Sequence, residues 1–184
     1  MDQLYCIYRS IEKSICSTIS ASFPSACIVS FLAFISYMVF RLFFSLHKNR
    51  SKNFSGVSGI VYQGVWTAIF TFYTYMVLFR TWIARKRWED PLDKIFGGWG
   101  LYTEKGNLTT EAIENVMLLF PFTFLLGILL RKRWKKYSPG SAFRYLALSG
   151  FFMSLTVETV QLLLKRGTFQ FSDLFYNTTG GILG

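Results

Sequence analysis

Residues 145–184 read YLALSGFFMSLTVETVQLLLKRGTFQFSDLFYNTTGGILG. Residues 145–164 form an apolar block long enough to span a bilayer, since about 20 apolar residues cross roughly 30 Å of hydrocarbon. Of ten acidic residues in the chain, only Glu158 falls deep inside a predicted span. A carboxylate near the bilayer centre costs about 2.5–3.5 kcal/mol on insertion scales, so it must face protein or a water-filled cavity. Its helix supplies a polar stripe, because Ser154, Glu158, Gln161 and Lys165 are spaced four, three and four apart on one face. Beyond a short polar turn, a further helix is expected to begin near Ser172 or Asp173. There Asp173, Asn177 and Gly181 fall at i, i+4 and i+8, while Gly180 and Gly184 form a GxxxG pair that permits close helix packing in a membrane. Docking these two faces would let Asn177 donate to Glu158 or Gln161, with Arg166 and Asp173 paired at the rim.

Working outward, three more apolar blocks of spanning length lie at residues 25–44, 60–79 and 112–130. Hydrophobic residues make up 52% of the 184, charged residues only 16%, and Phe occurs 20 times. A soluble domain would spread its apolar residues as amphipathic stripes instead. The expected fold is therefore an all-α membrane protein, a bundle of four full transmembrane helices plus the start of a fifth. The fifth is expected to be either truncated or re-entrant, because the sequence stops before it could cross. Residues 1–59 are read as an N-terminal segment with one additional helix, and residues 60–184 as the main membrane domain. In the third span, Thr109 or Thr110 can cap the helix, Glu111 and Glu114 suit its positive end, and Pro121 is expected to kink it.

The formal net charge is +10. Its basic residues sit in short loops beside the spans, which suits anionic headgroups and fixes topology; no nucleic-acid partner is expected. Residues 45–59 and 131–141 are basic without acids, whereas residues 80–111 carry five acids beside their basic residues. The short acid-free loops are assigned to the cytoplasm, which places the N-terminus, the mixed loop and the C-terminal polar segment outside. Trp82, Trp88, Trp99 and Trp134 read as an interfacial belt. Cys6, Cys16 and Cys27 lack any CxxC spacing and lie far from the single His47, so neither a metal site nor a cofactor is expected.

The stretch from Val157 to Gly184 resembles the VanZ-like family, named for a teicoplanin-resistance protein. That family carries Glu and Gln three apart on a membrane helix, a loop with Arg, then Asp, Asn and glycines opening the last helix. The matching residues are Glu158, Gln161, Arg166, Asp173, Asn177, Gly180 and Gly181. Upstream, Asn115 with Phe120, Pro121 and Phe122 is similar to the family's Asn-to-Phe-Ile-Pro-Phe-Gly helix, with no Ile before Pro121 and Thr123 in place of Gly. The resemblance covers residues 60–184. It implies a multi-pass protein of a Gram-positive bacterial plasma membrane, linked in some members to resistance against lipid-anchored glycopeptides.

Two functions follow as expectations. In the first, the outward polar cluster binds a lipid-linked envelope precursor or a glycopeptide and limits antibiotic access. In the second, an intramembrane enzyme acts on a lipid-linked substrate, with Glu158 as acid or base, Arg166 holding an anionic head and Asp173 orienting it. Glu158 and Asp173 are the catalytic candidates, and Gly180, Gly181, Gly184 and Pro121 the packing ones. The topology is tested by single cysteines at Ser138 and Thr168 in a cysteine-free background. An impermeant maleimide should leave Ser138→Cys unlabelled in intact cells, and labelling there reverses the assignment.

Overall fold

The computed structural model describes residues 2–47, 54–85, 95–103, 106–134 and 136–184. Among the described residues the fold comprises six helices: α1 (Asp2–His47), α2 (Phe54–Leu78), α3 (Glu111–Leu129), α4 (Arg131–Trp134), α5 (Pro139–Leu164) and α6 (Phe171–Leu183). A π-helical turn, Phe79–Ile83, continues α2. Among the described residues there is no strand, and an isolated bridge joins Tyr102 to Leu108. Trp88 of the expected belt lies outside the described residues.

Three helices are long and apolar enough to cross a membrane among the described residues: α1, α3 and α5. The four full spans expected from the sequence are thus not met by length and hydropathy alone. Helix α2 is interrupted by Gln63, Thr67, Thr71 and Thr74, which lower its mean hydropathy. At about 1.5 Å per residue, the 13 residues of α6 reach only about 20 Å. The exterior is apolar, with Phe31, Phe152 and Leu163 well exposed, while Ser154, Glu158, Gln161, Asp173 and Asn177 are buried. Polar interior and apolar surface together are what a hydrocarbon solvent selects.

Helix α1 departs most from expectation. It begins at Asp2, not near residue 25, and at 46 residues is about 69 Å long, more than twice a bilayer's hydrocarbon. Small residues four apart explain the extension: Ser10, Ser14, Thr18, Ser22, Ala26 and Ser30 form one stripe. Ser22 and Ala26 are fully buried, and Ser30 Oγ donates to the Ala68 carbonyl of α2 at 2.8 Å. Small side chains let the backbones approach and a hydroxyl bond across the interface.

The helix ends follow local chemistry. Ser138 caps α5 by accepting from the Ser141 N–H at 3.3 Å, Pro139 follows at the first position, and Lys165 ends it left-handed at φ 52°. At α3, Thr109 Oγ1 accepts from the Glu111 N–H at 3.3 Å, while Thr110 donates to Glu114 at 2.6 Å. Trp134 anchors the turn after α3 by donating to the Gly127 carbonyl at 2.9 Å. The loop, the start of α3 and the start of α6 share one end: Phe171 N–H bonds to the Ile95 carbonyl at 2.9 Å, and Tyr176 OH accepts from Gly100 N–H at 2.8 Å. Ser14 Oγ donates to Glu114 at 3.0 Å, which brings the first half of α1 to that end too. Thr168 is buried, so the exposed Gly98 is the better partner for Ser138 in the labelling test.

A compact apolar cluster of Val77, Leu119 and Phe122, flanked by Tyr73 and Met153, holds α2, α3 and α5 together. Helix α6 sits beside it on its glycines. A Cβ on Gly180 would strike the Val116 carbonyl, one on Gly184 the Phe120 carbonyl, and one on Gly181 would lie 2.9 Å from Gly150 Cα. The Gly180–Gly184 pair therefore docks on α3, while Gly181, on the face expected to meet α5, lies against Gly150 of that helix. Thr123, at the family's glycine position, is fully buried against Gly181 and Gly184, whose missing side chains make room for it. Overpacking at such a contact costs about 1–3 kcal/mol. Gly180→Ala should lower the unfolding midpoint of the protein in nanodiscs accordingly, whereas Gly140→Ala, at a helical site open on all sides, should leave it unchanged or slightly raised.

Candidate functional site

The π-turn determines where the polar residues converge. Its wide i→i+5 bond, Ala84 N–H to Phe79 carbonyl at 2.9 Å, ends the helix with orphan carbonyls facing α5. Gln161 Nε2 donates to the Thr81 carbonyl at 3.0 Å, and Arg166 Nη1 donates to the Trp82 and Ile83 carbonyls at 3.2 and 3.3 Å. The chain then turns Arg85 inward. Its Nη1 donates to Gln161 Oε1 at 3.0 Å and its Nη2 lies 3.6 Å from Asp173 Oδ2. Asn115 Nδ2 donates to the other oxygen, Asp173 Oδ1, at 2.6 Å. Glu158 Oε2 accepts from the Gln170 N–H at 3.3 Å.

Beside these contacts lies a cavity of about 290 Å³. Glu158, Gln161, Asp173 and Asn177 meet there with Asn115, Arg85, Arg80, Thr81, Glu111 and Glu114, and with Ser14 and Thr18 of α1. Arg80 donates to Glu114 in an ion pair at one edge. Glu158 and Gln161 are each 1% exposed and Asn177 2%.

Several expectations change. Arg166 and Asp173 do not pair; Arg85 takes the carboxylate instead, because Arg166 is held by the carbonyls of the π-turn. Arg166 is also absent from the cavity wall. Asn177 faces the cavity, yet its Oδ1 is buried without a hydrogen-bond partner, and no bond links it to Glu158 or Gln161. Of the α5 stripe, Ser154, Glu158 and Gln161 are buried, but Lys165 is exposed at the left-handed end of the helix. Pro121 lies within α3 against the neighbouring apolar cleft, not the cavity. Among the described residues, no group of three His, Cys, Asp or Glu side chains is arranged to hold a metal ion.

The sequence reading missed Arg80, Arg85 and Glu114 as partners of the site, and gave Asn115 little weight. The i, i+4 row of Ser10, Ser14 and Thr18 was the available sign that α1 reaches it.

A family model described as VanZ/LLP1 matches residues 26–184. The chain belongs to the VanZ/LLP1 family. The match takes in part of α1 as well as α2 to α6, and so begins ahead of residue 60, where the sequence resemblance was placed. Protein VanZ of Enterococcus faecium is 32% identical over 83 residues, which cover 45% of this chain and 46% of that protein. The chain thus spans about half the length of this curated relative. No solved structure matches it. VanZ family proteins are membrane proteins, in keeping with the three apolar helices described above.

Asp173 depends on Arg85 and Asn115 for compensation. Breaking a buried pair from one side costs about 3–5 kcal/mol, but Arg85 is more than a third exposed, so about 1–3 kcal/mol is expected for Arg85→Met. Adding Asp173→Asn should recover part of that loss. Denaturation of the two variants in nanodiscs checks it, and a double variant less stable than Arg85→Met would break the argument.

Proposed function

We propose that this VanZ family protein lowers the sensitivity of a bacterium to teicoplanin by binding an envelope ligand in the polar cavity. In this reading the chain is a multi-pass protein of the plasma membrane with the cavity end outside. The ligand is a lipid-linked envelope precursor or the glycopeptide itself, and surrounding lipids are its other partners. The observation that carries the reading is convergence. Glu158, Gln161, Asp173 and Asn177, which with Arg166 are the polar residues carrying the C-terminal family resemblance, line one cavity together with Asn115, and Arg166 lies outside it. A binding role fits side chains that already have structural partners, such as Gln161 on the Thr81 carbonyl and Asp173 on Asn115. Membership of the family, and likeness to protein VanZ, support the direction of the effect.

Expression in a susceptible Gram-positive host should raise the inhibitory concentration of teicoplanin several-fold. Unchanged tolerance with the protein inserted in the membrane would sink the proposal. Glu158→Gln is nearly isosteric, keeps a hydrogen-bonding oxygen and cannot exchange a proton at neutral pH. It should retain most of the tolerance, while Glu158→Leu should return it to the level of cells without the protein. Loss of tolerance in a folded Glu158→Gln variant would point to proton transfer instead of binding.

A further inference from the structure

The polar cavity is not isolated. Beside it lies an apolar cleft of about 310 Å³ between α1, α2 and α3, walled by residues that include Ile15, Ile19, Met76, Met117 and Pro121. Four residues, Thr18, Arg80, Glu114 and Leu118, line both spaces, so cleft and cavity adjoin across these side chains. Each volume alone is near the lower end of the range of about 300–1,000 Å³ typical of small-molecule sites, and together they lie well inside it. Ile15, Ile19 and Met117 are also partly exposed on the apolar exterior, which opens the cleft toward lipid.

The cavity wall carries more carboxyl groups than cations. Its two arginines are engaged, Arg80 with Glu114 and Arg85 with Gln161 and Asp173. Acceptors remain: Asn177 lines the cavity with its Oδ1 buried and without a hydrogen-bond partner, and Glu158 holds a single long bond from a backbone N–H. Four carboxyl-bearing side chains, Glu111, Glu114, Glu158 and Asp173, stand against two guanidinium groups. An anionic head would face the surplus of carboxyl groups, whereas a head rich in O–H or N–H donors would satisfy the acceptors left over.

We propose that the recess takes a single-chain amphiphile, with its aliphatic chain in the α1–α2–α3 cleft and a head bearing hydroxyl or amine donors in the cavity, on Asn177 and Glu158. This rests on the reading of the cavity as the ligand site. The protein in lipid nanodiscs is exposed to an alkyl glucoside carrying a diazirine at the end of its chain, and crosslinked peptides are located by mass spectrometry. Labelling should fall on the α1 and α3 walls of the cleft. Unlabelled alkyl glucoside or alkylamine of equal chain length should compete it away, and the stronger competitor tells whether hydroxyl or amine donors are preferred. Alkyl phosphate should not compete. Ile15→Trp, which fills the cleft, and Asn177→Leu, which removes the free acceptor, should each cut labelling about tenfold with the unfolding midpoint retained. Competition by alkyl phosphate equal to that of the glucoside would overturn the head assignment. Labelling unchanged in both folded variants would reduce the probe to annular lipid and overturn the site. Competition uses the unaltered protein, so it decides the matter even where a variant fails to fold. Teicoplanin tolerance in cells without site-specific labelling would remove this inference and leave the proposed function; labelling without tolerance would do the reverse.

Discussion

Helix α6 touches α3 at Gly180 and Gly184 and α5 at Gly181 with no side chain between the backbones, and the arrangement of the polar interior depends on that approach. Lipid tails are as apolar as leucine, so burying apolar surface between helices gains little in a membrane. What remains is van der Waals contact and hydrogen bonding, both of which require the backbones to come close. Gly180 and Gly184 remove two successive turns of side chain on one flank of α6, and Gly181 removes the adjacent one. Asn177 and Asp173 occupy the preceding turns of the same helix. The close contact therefore carries Asp173 to within 2.6 Å of Asn115 and sets Asn177 into the cavity. A bulkier residue at 180 would separate α6 from α3 and leave the Asp173 carboxylate without Asn115.

A second constraint comes from the end of α2. Ending a helix inside a protein leaves carbonyls that need donors. The side chains that supply them, Gln161 and Arg166, come from the end of α5 and the turn after it. That exchange explains why an arginine that looks available in the sequence is not: Arg166 serves the backbone. It also places Arg85 one step beyond the π-turn, where its two nitrogens bridge α5 and α6. The π-turn thus connects chain termination on α2 with charge compensation in the cavity.

The sequence made α5 and α6 legible because a polar residue within an apolar span must be buried, and because i, i+3 and i+4 spacing says which others share its face. Ser154, Glu158, Gln161, Asp173, Asn177 and Gly181 were all placed in this way, and all are buried. Lys165 escaped the pattern, since a left-handed residue at the helix end breaks the periodicity that put it on the stripe. The partners supplied by other elements were not legible. Arg80 and Arg85 look like ordinary basic residues flanking a span, and only the course of the chain through the π-turn directs them inward. The first half of α1 was hidden for a different reason. Its mixed polar sequence lacks the apolar run that marks a span, and its helical character shows only in the spacing of small residues.

The Arg80–Glu114 pair stands where the apolar cleft meets the polar cavity, and both side chains are largely but not fully buried. Ion pairs in such positions are weak sources of stability, because desolvation offsets most of the attraction between the charges. Neutral residues would hold α2 to α3 at least as well; Tyr73 already does so by donating to the Leu118 carbonyl at 2.8 Å. A charged pair accomplishes something a neutral one cannot. It marks a sharp polarity step between cleft and cavity, the step that the proposed amphiphile would straddle. The Ser14 and Thr110 hydroxyls, which both donate to Glu114, fix the carboxylate at that step. In the proposed binding mode this boundary orients the amphiphile, and α1, α2 and α3 each contribute to it.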